Sequence, residues 1–119
     1  VTPEAFHAAA LALPGAAFDI KWGADRCYTV GGKMFAVTGL EADGRSDGRY
    51  AFKCTDGSFE QLIEEGVAIP APYAARFKWV QLTGPDVLPD EQLRRYLETA
   101  HRLVAEKLPR KLRAELGLA

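Results

Sequence analysis

Apolar positions along the chain switch between a helical period and a period of two. Thr2-Pro3-Glu4 has the make-up of a helix start, with Thr as N-cap, Pro at the first helical position and an acid in the first turn. Phe6, Ala9, Ala10 and Leu13 then fall on one face until Pro14-Gly15 stops the run. Alternation follows: Phe18, Ile20 and Trp22 are interleaved with Asp19 and Lys21, and Gly23-Ala24-Asp25 turns the chain. Cys27–Val30 and Lys33–Thr38 flank Gly31-Gly32, a two-residue hairpin signal. Glu41–Gly48 holds two Asp-Gly pairs and reads as a flexible loop before Tyr50, Phe52 and Cys54 alternate with Ala51 and Lys53. Asp56 caps a second helix to about Glu65, with Phe59, Leu62 and Ile63 inward and Gly66 as its stop. Phe77–Leu82 reads as a fifth strand, ended by Gly84-Pro85. The strongest helical pattern runs from about Asp90 to Leu108, with Leu93, Leu97, Ala100, Val104 and Leu108 on one stripe and Glu91/Arg95 and Glu98/Arg102 pairs outside. A short helix over about Arg110–Leu116 closes the chain.

This order predicts an α+β fold: a two-layer sandwich in which an antiparallel sheet of about five strands carries helices on one face. Its 119 residues are one domain's worth, spanning 1–119, with enough surface to bury a core without disulfides or metal. The other sheet face is expected to be open, with Lys21, Lys53 or Lys78 presented from alternate positions.

Composition narrows the class. With 48% hydrophobic and 26% charged residues, the chain is neither a disordered tail, nor collagenous, nor a coiled coil. Its longest weakly polar run, Ala8–Phe18, is broken by Pro14-Gly15 and too short to cross a bilayer, so no membrane partner is expected. The first residue is Val, and no Lys or Arg precedes Lys21, so no signal peptide is read. Two cysteines without metal-site spacing fit reduced thiols in a cytoplasmic protein. A net charge of −1 confines any nucleic-acid site to a local patch. Such a patch has a source: residues 94–113 carry +5, while residues 41–65 carry −4. Two solvated faces of opposite sign are the plainer account of that asymmetry.

Catalytic chemistry is poorly supplied. His7 and His101 each lie on a helix flank, and no nucleophile elbow, P-loop or dinucleotide-binding fingerprint occurs, so no catalytic residue and no cofactor are assigned. The Asp43–Gly48 loop has the outline of a calcium loop, but Arg45 stands where an oxygen ligand is needed and Cys54 where the bidentate acid belongs. Glu60 and Glu64 share a helix face that reads as solvated, so no metal ligand is assigned. The distinctive stretch is Ile69–Val80, with two prolines, two cations and three aromatics in twelve residues. Rings beside cations suit stacking on exposed bases or on a small ligand. The alternative is a rigid loop feeding a strand whose aromatics join the core.

Leu13-Pro14-Gly15, Val30–Ala36, Phe52-Lys53-Cys54 before a short helix, Pro70-Ala71-Pro72-Tyr73 to Trp79, and Leu108-Pro109 occur in an order that resembles the MmcQ/YjbR family. The resemblance runs from Leu13 to Leu116 and implies a CyaY-like (frataxin-like) fold. It also implies the label DNA-binding, which the family carries because its fold resembles a double-wing arrangement, and no enzymatic activity. Frataxin-like iron binding uses acids on the first helix, where this chain offers only Glu4, so a metal-chaperone role ranks third. The favoured expectation is a non-enzymatic binding protein contacting DNA, weakly and salt-dependently, through Lys53, Tyr73, Arg76, Lys78 and Trp79, with a basic edge from Arg110, Lys111 and Arg113. The rival is a protein- or small-ligand-binding module using the Pro70–Trp79 loop and the open sheet face.

Overall fold

Thr2 caps the first helix, its Oγ1 accepting from the Ala5 N–H at 3.1 Å, so α1 (Pro3–Leu11) starts where the sequence places it. The computed structural model describes residues 1–21, 25–40, 46–72 and 74–118, with the side chains of 40 and 46–48 left out. Trp22, the Gly23-Ala24 turn, residues 41–45 of the Asp-Gly loop and Tyr73 lie outside the described residues. Strands β1 (Ala16–Lys21), β2 (Asp25–Val30), β3 (Lys33–Leu40) and β4 (Ser46–Lys53) form an antiparallel meander. Helix α2 (Asp56–Glu64) leads to β5 (Ala68–Pro70), a 3-10 turn (Ala75–Phe77) and β6 (Trp79–Leu82). Helices α3 (Asp90–Ala105) and α4 (Arg110–Glu115) follow. All strands belong to one six-stranded sheet in the order β1-β2-β3-β4-β6-β5, with every neighbouring pair antiparallel.

The α+β sandwich follows the sequence expectation, with one strand more than the expected five. The added strand, β5, ends on Pro70 at the sheet's edge, the position where a residue without an N–H is tolerated. β6 begins at Trp79 rather than Phe77, because Lys78 adopts a left-handed conformation (φ 62°) that reverses the chain out of the 3-10 turn. Thr55, not Asp56, caps α2, accepting from the Ser58 N–H at 3.1 Å. α3 ends at Ala105, one turn short of Leu108, which still packs in the core.

The core lies between the sheet and helices α1 and α3. Phe6 is fully buried against Tyr28 and Tyr50, Phe35 meets His101 edge-on, and Phe52 stacks on Tyr96. The apolar stripe of α3 is buried as its period predicts, and burying it is the main source of that helix's stability. At the β2–β3 turn Gly31 and Gly32 have φ of 59° and 80°, the two positive values that a two-residue hairpin needs. A Cβ on Gly31 would stand 2.7 Å from Leu108 Cδ1, so this glycine also lets the chain after α3 approach the turn. Among the described residues, no helix is long and apolar enough to cross a membrane.

Cys27 and Cys54 are free thiols, both buried. Burial pushes the Cys54 thiol up to about 11 and also raises Cys27. An aromatic disulfide reagent should therefore react slowly with the native protein near pH 8 and release two thiol equivalents once urea unfolds it without reductant. Fast reaction of either thiol in the native state would contradict their burial.

Candidate nucleic-acid interface

Strand β4 and the 3-10 turn bring distant cations together. Lys53 ends β4 opposite Trp79 of β6, and its Nζ donates to the Phe77 carbonyl at 2.6 Å. That bond ties the end of β4 to the turn carrying Arg76 and Phe77. Lys78, held in its left-handed conformation, places Nζ 4.9 Å from the Phe59 ring of α2. Its carbonyl accepts from the Cys54 N–H at 2.9 Å, extending the β4 connection. Leu103 of α3 and Lys107, in the turn just after that helix, supply the opposite wall.

The result is a cleft of about 460 Å³ lined by Lys53, Arg76, Lys78 and Lys107, with Asp56 as its single acid among the described residues. The Lys53 ammonium is held below its usual value, first by burial and then by repulsion from Lys107. An anion entering this cleft would offset both by favouring the charged ammonium. Phe77 lines the same cleft and is half exposed, with the Arg76 guanidinium 4.7 Å from the centre of its ring. A large exposed ring beside four cations suits a nucleobase next to its phosphates.

Three of the sequence candidates, Lys53, Arg76 and Lys78, thus converge. Trp79 stands elsewhere: it is buried on the sheet face turned away from α1 and α3 and lines a second cavity there. Arg113 lines a shallow depression with Pro14, His101, Arg102 and Glu106, apart from the cleft. Arg110 and Lys111 are exposed on α4 and line neither cavity. Tyr73 lies outside the described residues.

Sequence reasoning missed Phe77 and Lys107. Phe77 reads as a strand residue until the left-handed Lys78 separates it from β6, and Lys107 is one of seven cations in the +5 stretch. Both histidines do structural work. His101 is buried and its Nε2 donates to the Pro14 carbonyl at 2.7 Å, fixing α3 to the end of α1. His7 packs edge-on against Phe18 and hydrogen-bonds the Tyr28 hydroxyl at 2.9 Å. Burial, and then Arg26, lower its pKa. Among the described residues no group of three His, Cys, Asp or Glu side chains is placed to share a metal ion.

Comparison with known proteins adds two findings. The family model YjbR matches residues 11–103, a span holding Lys53, Arg76, Phe77 and Lys78 and ending four residues before Lys107. The crystal structure of Deinococcus radiodurans protein DR2400, described by the domain DUF419, is similar with a TM-score of 0.82 at 23% identity, covering 99% of this chain and 89% of that one. At that identity the likeness speaks for the fold alone. Among curated proteins none is significantly similar to the chain.

Proposed function

This chain belongs to the YjbR family, and we propose that it is a small non-enzymatic DNA-binding protein that takes phosphates into the cleft of Lys53, Arg76, Lys78 and Lys107. The observation that carries this reading is the convergence of four cations from β4, the 3-10 turn and its cap, and the turn after α3 on one cleft, in a chain whose net charge is only −1. Charge-assisted hydrogen bonds from these groups fit phosphate oxygens. The exposed Phe77 ring beside them favours single strands, whose bases are free to stack.

Few phosphates are engaged, so affinity is modest and strongly dependent on salt. With three or four contacts to single-stranded DNA, the slope of log K against log salt is about −2 to −3. Fluorescence anisotropy with a labelled 20-nucleotide strand and its duplex, from 20 to 200 mM salt, measures this. Tighter binding of the single strand with a slope in that range is the expected result. Failure of both forms to bind at about 100 µM protein, the weak end of non-specific affinity, overturns the proposal.

A further inference from the structure

The sheet face opposite α1 and α3 is partly roofed. After β5 the chain folds back over it through successive turns: the Ala71 N–H donates to the Trp79 carbonyl at 3.0 Å, and the Ala74 N–H to the Ala71 carbonyl at 3.2 Å. The Phe77 N–H then donates to the Ala74 carbonyl at 3.1 Å. This overhang encloses a cavity of about 680 Å³, within the range of small-molecule sites. Its floor is apolar where an open antiparallel face is usually polar: Val37 of β3, Ala51 of β4 and Trp79 of β6. Small side chains at Val37 and Ala51, directly opposite each other in register, leave a flat slot beside the indole.

Polar groups sit at a few points of the wall. Arg49 is engaged with Asp25 at 2.9 Å. Lys33 is exposed, and neither its ammonium nor the Gln81 side-chain amide has a partner among the described residues. Among the described residues the charged groups of the wall are Lys33, Arg49 and Asp25, which together carry one net positive charge.

We infer that this cavity binds a small, flat, apolar molecule bearing one negative charge, of the class of fused-ring aromatic carboxylates. The rings lie on Val37 and Ala51 beside Trp79, and the carboxylate meets Lys33 at the rim. Phe77 lines both this cavity and the phosphate cleft, whereas Lys33, Val37, Ala51 and Trp79 line this cavity and not the cleft.

The test uses 2-naphthoate as the probe and 2-naphthylmethanol as its uncharged counterpart, followed by ¹H–¹⁵N correlation spectra at low salt. Naphthoate should give saturable shifts of the Val37, Ala51 and Gln81 amides and bind at least fivefold more tightly than the alcohol. Lys33→Ala should weaken naphthoate to the level of the alcohol without moving the alcohol's affinity. Ala51→Leu, which fills the slot and touches no residue of the opposite core, should abolish both while the rest of the spectrum stays native. The proposal is overturned if low-millimolar naphthoate leaves those amides unmoved in the unmodified protein. Equal binding of acid and alcohol, or a preference that survives in Lys33→Ala, overturns it as well.

Discussion

Replacing Phe6 with Ala should cost about 3–5 kcal/mol of folding stability, the range for truncating a buried aromatic. Phe6 has no solvent exposure, and its ring centre lies 5.7 Å from that of Tyr28 and 5.2 Å from that of Tyr50. It joins α1 to two strands of the sheet, and both neighbours are large rings whose packing on β2 and β4 limits how far they move into the void. The loss therefore contains a cavity contribution as well as the transfer of the ring to water. Single domains have about 5–15 kcal/mol in total, so much of the margin disappears. Urea unfolding followed by circular dichroism should show a lower midpoint with an unchanged slope. Phe77→Ala is the control: the same chemical change at a half-exposed ring should fall within about 0.5 kcal/mol. Equal losses at the two sites would mean that Phe6 does not anchor α1.

The contrast between these two phenylalanines indicates which parts of the molecule its sequence reveals. Phe6 is legible because its neighbours repeat with the helical period, and the same holds for Leu93, Leu97, Ala100 and Val104 of α3. Gly31-Gly32 is legible because only a tight hairpin needs two adjacent residues with positive φ. Around residues 68–78 the local signals conflict. Pro70 and Pro72 argue against a strand, yet Ala68–Pro70 pairs at the sheet's edge, where a missing donor costs little. Phe77-Lys78-Trp79-Val80 looks like one strand, yet Lys78 takes a conformation that only a few per cent of non-glycine residues adopt. That single backbone state leaves Phe77 half exposed in the turn, while Trp79 is buried in β6. Of one apparent aromatic cluster, Phe77 thereby lines both cavities and Trp79 only the one on the open sheet face.

The candidate cleft was half legible for a related reason. Lys53, Arg76 and Lys78 stand out locally beside aromatic residues. Lys107 has no local mark, because a surface lysine near a helix end is ordinary and also favourable to the helix dipole. What selects it is tertiary: α3 crosses the sheet so that Leu103 and Lys107 meet the end of β4. Arg110, Lys111 and Arg113 carry the same charge a few residues later, but Pro109 starts a new helix there, and none of the three lines the cleft. Charge density along the chain marks the stretch that reaches the cleft, and the turn before α4 decides which of its cations lines it.

Reversing two of the cleft's charges, Arg76→Glu with Lys107→Glu, should weaken single-stranded DNA binding about a hundredfold at 50 mM salt. Each lost phosphate contact forfeits one counterion release, worth several-fold at that salt, and each new carboxylate repels the strand. The salt slope should flatten by about 1.4, two contacts at 0.7 each. Folding should be nearly untouched, since both side chains are exposed and neither has an ion-pair partner among the described residues. Arg76 also covers the Phe77 ring, so its removal exposes more of that ring and, on stacking alone, would strengthen binding. A net loss therefore reports the charge of the cleft rather than stacking on the ring. The matched control is Arg94→Glu with Arg110→Glu, an equal change in net charge at two exposed residues that do not line the cleft. It should weaken binding by no more than about threefold, the residue of long-range attraction screened beyond about 10 Å. Affinity within twofold of the unmodified protein in the cleft variant, or an equal loss in the control, would show that these cations form no common phosphate site.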